Sequence, residues 1–481
     1  VPTQSVDPRT GESFGPVFPD TSPVELDRVV TAAAAAADAW ADLVPSGRAL
    51  ALSAVADALD NDGAELVSLA DRETGLGEAR LSGELARTTF QIRMFASLVE
   101  SGDAARKVRD PEVPGPPPAG HPELLRVLVP IGPVAVYGAS NFPFAFSVPG
   151  GDTASALAAG CPVVVKAHPG HPQTSARAAG VVVDALLSTG APVGTLGIVH
   201  GFEAGRLLVE HPLVRAAAFT GSYGGGRALF DLAVGRSDPI PFYGELGSVN
   251  PVVVTAGAAQ RGSALATEYV DSLTLGTGQF CTNPGLLLVP AGSGLVELIA
   301  AEAAQRAPGV LLHGGVASLF RDTVTRLAAV PGVKTLVDHS DLDLPGARSG
   351  PVILAADAAT TMSHPELLRT ECFGPAGIVV EYRSADELIT LLALLDGCLV
   401  ATVHGLASEA LAGTLVRRLA RIAGRVVWNG WPTGVAVSAG QQHGGPHPST
   451  TSSLHTSVGT AAVLRFLRPV AYQSVPSILL P

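Results

Sequence analysis

Ala216-Ala-Ala-Phe-Thr-Gly-Ser-Tyr-Gly-Gly-Gly226 reads as one unit: a short apolar strand, a glycine-rich turn and the start of a helix. Backbone N–H groups at such a start, with the helix dipole behind them and Ser222 beside them, favour a pyrophosphate. Gly-rich βα turns are common, so the stretch alone gives a local geometry and not a ligand. Its neighbours decide the fold. Residues 134–137, 163–166, 197–200 and 252–255 read as further strands, with helices over 151–159, 173–187, 202–210 and 225–235. Strands alternating with helices predict a parallel sheet covered on both faces. A second βα series from Ala256 to about Trp428 predicts a second α/β domain, in keeping with 481 residues, too many for one ordinary core.

Upstream, residues 1–20 read as irregular. Ser22, Pro23 and Glu25 supply an N-cap, a first-turn proline and a carboxylate at the third helical position, opening a helix to about residue 43. Helical patterning continues over 47–59, 64–74 and 77–101. Prolines break the chain over 110–118, and a strand follows at 124–130. The apolar, proline-containing tail from Val463 reads as an edge strand or a subunit-bridging arm.

The formal net charge is −12, and lysine occurs only at Lys107, Lys166 and Lys334. Without a basic cluster, binding to nucleic acid or an anionic membrane is not expected. The four cysteines, Cys161, Cys281, Cys372 and Cys398, are scattered without metal-ligand spacing, which predicts a reducing compartment and no disulfide framework. No leader or membrane span is read, so a cytoplasmic, soluble protein is the expectation.

Five positions carry chemistry. Cys281 lies in Gln279-Phe-Cys-Thr-Asn-Pro-Gly-Leu286, a turn between a helix over 262–278 and a strand over 286–290. A loop near backbone N–H groups suits a thiolate nucleophile; a buried, inert cysteine is the alternative. Asn141 follows a strand in Tyr137-Gly-Ala-Ser-Asn-Phe-Pro, where its amide can donate to an oxyanion or simply make the turn. Lys166 ends an apolar strand at the crevice where nucleotides bind, or snorkels there. Glu245, beside small residues, reads either as a semi-buried base with a raised pKa or as a cap for nearby amides. Glu371 precedes a turn into a strand and suits ribose hydroxyls. The histidines, His443 and His447 among them, read as structural or surface groups, and no metal site is expected.

Taken together these residues resemble the aldehyde dehydrogenase superfamily, over nearly the whole chain. Asn141-Phe-Pro is similar to the family's oxyanion turn, and Lys166 to its ribose-binding lysine. Phe219-Thr-Gly-Ser222 is similar to its phosphate turn. Glu245-Leu-Gly-Ser resembles its Glu-Leu-Gly-Gly base motif, with Ser248 for the second glycine. Gly278-Gln-Phe-Cys281 resembles the nucleophile motif, and Glu371-Cys-Phe-Gly-Pro the ribose clamp. The variants, including Gln442-His-Gly-Gly-Pro-His-Pro, look like the branch of 2,5-dioxovalerate and NADP-dependent fatty aldehyde dehydrogenases.

The resemblance implies two parallel-sheet α/β domains plus a small β oligomerisation unit. Residues 1–109 and 131–255 would bind cofactor, 256–430 would be catalytic, and 110–130 with 457–481 would form the oligomerisation hairpin and arm of a homodimer or homotetramer. It implies Cys281 as nucleophile, Asn141 with the Cys281 N–H as oxyanion donors, and Glu245 as base for water, so that an aldehyde becomes an acid through a thioester. Lys166, His168, Phe219, Thr220, Gly221, Ser222, Gly226, Leu246, Gly247, Glu371 and Phe373 would hold NADP or NAD. The family's acidic residue three beyond the lysine is Pro169 here. Its loss favours NADP, helped by a partly protonated His168 and by Arg206. Phe142, Ala145 and Phe146 would wall the substrate tunnel, with Gln91 and Arg93 binding a substrate carboxylate. The substrate expected is 2,5-dioxovalerate, with a medium- or long-chain fatty aldehyde as alternative. A catalytically silent binding member of the fold and a CoA-acylating enzyme are the rivals, and the retained Glu245 favours hydrolysis over CoA transfer.

Overall fold

The computed structural model describes residues 2–341 and 345–480. Val1, Pro481 and residues 342–344, which fall inside the ranges assigned above, lie outside it. The first twenty residues are not irregular: β1 (Thr3–Val6) and β2 (Ser13–Phe18) form an antiparallel pair. Their short, interrupted apolar pattern hides them in the sequence. Helices α1 (Pro23–Ala41), α2 (Pro45–Asn61), α3 (Gly63–Thr74) and α4 (Glu78–Glu100) follow as read, with Ser22 Oγ accepting the Glu25 N–H. Next come β3 (Val108–Asp110) and β4 (Leu124–Pro130).

The first parallel sheet contains β5 (Val134–Tyr137), β6 (Val163–Lys166), β7 (Leu196–Val199), β8 (Ala216–Thr220) and β9 (Phe242–Glu245), in the order β7-β6-β5-β8-β9. Between them run α5 (Gly151–Ala159), α6 (Pro172–Ser188), α7 (Phe202–Glu210) and α8 (Tyr223–Gly235). Alternate side chains enter separate cores: Val134 and Val136 pack with Trp40 and Phe95, and Ala135 and Tyr137 with Val30 and Leu208. Burial on both faces is why these strands read as continuous apolar runs. The register sets Tyr137 opposite Lys166 and Phe219, and Thr220 opposite Glu245. The candidate residues therefore leave the sheet along one carboxyl edge, where open α/β sheets take ligands.

The second sheet contains β10 (Pro251–Val254), β11 (Leu286–Pro290), β13 (Lys334–Asp338), β15 (Val352–Asp357), β16 (Ala376–Tyr382), β17 (Cys398–His404) and β18 (Ala423–Trp428). The two short strands β12 (Gly309–Val310) and β14 (Arg348–Ser349) pair apart from it. The order is β13-β15-β16-β11-β10-β17-β18, parallel except that β13 runs against β15. One correction follows. Residues 251–254, placed above in the cofactor unit, pair with β11 and β17, so the change of sheet falls between Glu245 and Pro251. Helices α9 (Ala256–Ala259) and α10 (Ser263–Thr274) lead from β10 to the Cys281 turn. Finally β19 (Leu467–Gln473) pairs antiparallel with β4, completing a three-stranded sheet, β19-β4-β3.

Candidate active site

The helix expected to reach residue 278 stops at Thr274, and the chain turns through Gly276, Thr277 and Gly278, all at positive φ. Gly278 has a second reason to be glycine, since a Cβ would overlap the Gly374 carbonyl. Gln279 then pins the loop: its Nε2 donates to Gly276 O (3.2 Å) and Val310 O (3.1 Å), while its Oε1 accepts the Leu312 N–H (2.8 Å). Beyond it, Asn250 Nδ2 donates to the carbonyls of Cys281 (2.8 Å) and Asn283 (3.0 Å). Ser248 Oγ in turn donates to Asn250 Oδ1 (2.9 Å) and accepts the Leu399 N–H (3.0 Å). The serine that departs from the family motif thus fixes the asparagine that fixes the nucleophile loop.

Asn141 is buried and brings its Nδ2 to Gln279 O at 3.1 Å, beside the Cys281 backbone. An amide NH₂ has two hydrogens, and one remains for an oxyanion. Arg80 holds the turn, donating to Asn141 O at 2.8 Å with its guanidinium 5.0 Å over the Phe142 ring and 5.1 Å over that of Phe280. Phe142 stands edge-on to Phe146 (5.5 Å) and Phe280 (5.4 Å), and Ala145 is buried beside them. Phe280 adjoins Cys281 in the chain, and the Phe146 ring lies 6.0 Å from that of His443.

Glu245 and Cys281 meet through a residue the sequence reading missed. His443 is 2 % exposed; its Nε2 lies 2.9 Å from Glu245 Oε1 and 3.6 Å from Cys281 Sγ. Ser457 Oγ donates to Glu245 Oε2 at 2.7 Å. Two expectations are corrected here. Burial would raise the Glu245 carboxyl, but the charge and hydrogen bond of His443, with hydrogen bonds from Ser457 and Cys281, outweigh it and hold the group below its ordinary value. Burial, then the charge of and hydrogen bond to Glu245, push the Cys281 thiol well above its own, so the loop does not favour a resting thiolate. The side-chain oxygen, sulfur and nitrogen of Glu245, Cys281 and His443 thus form one compact group, within 4.8 Å of one another. His443 sits in the Gln442-His-Gly-Gly-Pro motif, 162 residues from Cys281, and no local pattern marks it as a partner.

The residues expected to hold a nicotinamide dinucleotide line the other side of Glu245. Thr220 Oγ1 is buried without a hydrogen-bond partner, an orphan that a phosphate or ribose oxygen would satisfy. Gly226 lets α8 close on the turn, because a Cβ there would meet Phe219 at 2.9 Å and overlap Leu246. Glu371 lies against Gly247, where a Cβ would overlap its Oε2, and burial pushes its carboxyl up to about 7 against a hydrogen bond from the Ser248 backbone. Tyr223, Gly247, Glu371 and His447 line one cleft, while Phe373 faces an adjoining cavity with Glu371 and Phe280. Lys166 is 9 % exposed at the end of β6, its Nζ 5.0 Å over the Phe202 ring, and burial brings it down to about 8 against the charge of Asp20. An orphan hydroxyl, a glycine-lined helix start and a strand-end lysine fit a dinucleotide.

Three details differ from the sequence reading. Ser222 Oγ caps α8 by accepting the Gly225 N–H at 3.3 Å, and the Gly221 N–H donates to Glu245 O at 3.1 Å, so Tyr223 and Gly224 carry the open N–H groups at the helix start. His168 is not partly protonated: burial and the charges of His171 and Lys166 push it well below its ordinary value. Arg206 is committed to Glu203 (2.7 Å) and Glu210 along α7. Asp20, just before α1, lies in electrostatic reach of Lys166 and favours its charged form.

Of the substrate residues on α4, Arg93 does not join the site, while Gln91 is buried with its Nε2 unpartnered. Gln91 is buried against α5, where a Gly151 Cβ would meet its Nε2 at 2.6 Å. Arg93 pairs with Asp57 (2.6 Å) and Asp60 (2.8 Å) on α2 at the surface. The cause is helical phase: two residues on from Gln91 is the far side of the helix.

Comparison with known proteins agrees with this geometry. The model of the aldehyde dehydrogenase family matches residues 2–469. An α-ketoglutaric semialdehyde dehydrogenase of Azospirillum brasilense is 43% identical over 99% of this chain and 92% of its own length. One of Acinetobacter baylyi is 40% identical over the same shares, 99% and 92%. Among solved structures, aldehyde dehydrogenase C of Pseudomonas syringae with NAD+ and octanal superposes with a TM-score of 0.83 at 21% identity, covering 98% of this chain and 93% of that one. A succinic semialdehyde dehydrogenase of Streptococcus pyogenes with NADP+ gives 0.82 at 18% identity, covering 99% and 100%. Fold, site and relatives agree: the chain belongs to the aldehyde dehydrogenase family, whose members oxidise an aldehyde to a carboxylic acid with NAD or NADP.

Proposed function

We propose that the enzyme oxidises 2,5-dioxovalerate, the semialdehyde of 2-oxoglutarate, to 2-oxoglutarate. What supports the reading is identity of 43% and 40%, across nearly the whole chain, to two dehydrogenases named for that substrate. Cys281 Sγ attacks the aldehyde carbon as its proton passes toward Glu245, the acceptor in contact with it. His443, 3.6 Å from the sulfur, supports the thiolate as it forms. The oxyanion takes hydrogen bonds from Asn141 Nδ2 and the Cys281 N–H. A dinucleotide held by Lys166, Thr220 and Glu371 would supply the hydride acceptor, and Cys281 is then left carrying the acyl group as a thioester. Once Glu245 has passed the first proton on to solvent, the same carboxylate, steadied by His443 and Ser457, draws a proton from the attacking water, and the acid leaves as Cys281 recovers its thiol. Steady-state rates on 2,5-dioxovalerate, hexanal and dodecanal test the reading: kcat/KM is expected to be highest for 2,5-dioxovalerate, and a preference for dodecanal would overturn it.

For the cofactor, Lys166 supplies positive charge at the ribose end, with Asp20 in electrostatic reach. A cation favours a 2′-phosphate and a carboxylate favours a 2′-hydroxyl, so both dinucleotides are accepted, with no strong preference for NADP. The expected outcome is kcat/KM for NADP+ and NAD+ within about tenfold of each other, with Asp20→Ala moving the ratio toward NADP+. An Asp20→Ala ratio equal to wild type would remove Asp20 from the selection.

The β3, β4 and β19 sheet, with Ile478 and Leu479 exposed beyond it, serves as the oligomerisation unit of a homodimer or homotetramer.

A further inference from the structure

Helix α4 turns Arg80, Glu84, Arg87 and Gln91 to one face, at spacings of four, three and four residues. Three of the four are held in place by the protein, each with one buried atom left unpartnered: Arg80 Nη1, Glu84 Oε2 and Gln91 Nε2. Arg80 holds Asn141 O. Glu84 Oε1 accepts the backbone N–H groups of Phe144 (2.8 Å) and Ala145 (3.0 Å). Gln91 packs on α5. Arg87 is different. Its guanidinium lies 5.6 Å over the Phe146 ring, partly buried, and among the described residues it has no hydrogen-bond or ion-pair partner. A half-buried guanidinium whose N–H fork no protein group fills is open to an anionic ligand.

We propose that Arg87 anchors the far carboxylate of the substrate, with Phe146 holding the guanidinium plane so that its N–H edge faces the chamber before Cys281. This rests on the dicarbonyl acid reading given above. Reach supports it. Phe146, beneath Arg87, stands 6.0 Å from the His443 ring, and His443 touches Cys281. Four C–C bonds separate the aldehyde and carboxylate carbons of 2,5-dioxovalerate, about 5 Å when extended, so the anchor must sit in the same chamber as the nucleophile. Arg87 also lies in the electrostatic field of Glu84 first, and then of Cys281 and Glu245. The other arginine near the sulfur, Arg425, spends its two terminal nitrogens on the carbonyls of Gly434 (2.8 Å) and Pro432. A free planar fork is what bidentate recognition of a carboxylate requires.

The test compares kcat/KM for 2,5-dioxovalerate with that for pentanal, an uncharged aldehyde of the same carbon count, in wild type, Arg87→Met, Arg87→Lys and Arg93→Ala. In Arg87→Met the ratio of the two is expected to fall on the order of 10²-fold, mainly through KM for the charged substrate. Arg87→Lys should recover part of the loss, as a point charge without the fork, and Arg93→Ala should leave the ratio in place. Phenylglyoxal labelling of wild-type enzyme, read by peptide mass spectrometry, needs no variant to fold: saturating 2-oxoglutarate with NAD+ should slow labelling at Arg87 and not at Arg93. Equal losses on both aldehydes, an unchanged ratio, or unprotected Arg87 each overturn the anchor while the substrate reading stands. Wild-type enzyme that handles pentanal as well as 2,5-dioxovalerate overturns the substrate reading and the anchor with it.

Discussion

Cys281→Ala is expected to abolish aldehyde oxidation, with kcat/KM falling by on the order of 10³ or more, while NADH or NADPH still binds. The loss is large because the sulfur makes the covalent bond that splits the oxidation into two steps, and nothing beside it can replace it. Asn250 holds the loop through the Cys281 carbonyl, and Gln279 holds it through its own side chain, so removing one sulfur leaves the turn intact. Titrating the variant with NADH by fluorescence separates lost chemistry from lost fold. Residual turnover above about one per cent of wild type would give the nucleophile's role to another group.

Glu245→Gln is expected to release one equivalent of NADH or NADPH per site in a burst and then stall, with steady-state kcat down roughly 10²- to 10⁴-fold. The amide keeps the shape and a hydrogen bond to Ser457 but cannot take a proton from water, so the thioester accumulates. The same change should make Cys281 more acidic. Burial raises that thiol first and the Glu245 charge second, and only the second cause is removed. Iodoacetamide alkylation of the free wild-type enzyme should therefore be slow at neutral pH and quicken as pH rises, and in Glu245→Gln the rise should begin at lower pH. Normal steady-state turnover in the variant would show that another base activates the water. An unmoved alkylation profile would show that the carboxylate does not govern the thiol.

Much of this was legible in the sequence because the information is local. Each βα unit carries its own apolar strand, glycine turn and helix start, so β5, β8, α5 and α7 fall where periodicity puts them. Cys281, Asn141, Glu245 and Lys166 stand in short motifs whose residue types suit one chemistry. Tertiary structure decided whatever depends on two distant segments meeting. His443 becomes a partner of Cys281 and Glu245 only when the loop after β18 folds back over the carboxyl edge of β9. The Glu245 pKa direction reverses for the same reason, since burial could be anticipated from apolar neighbours but the imidazole could not. Asp20 comes within electrostatic reach of Lys166 only in the folded chain. On α4 the arginines look alike in the sequence. Helical phase and the position of Phe146 send Arg87 toward the nucleophile and Arg93 to ion pairs on the surface. A charge on a linear chain has no direction until the helix bearing it is packed.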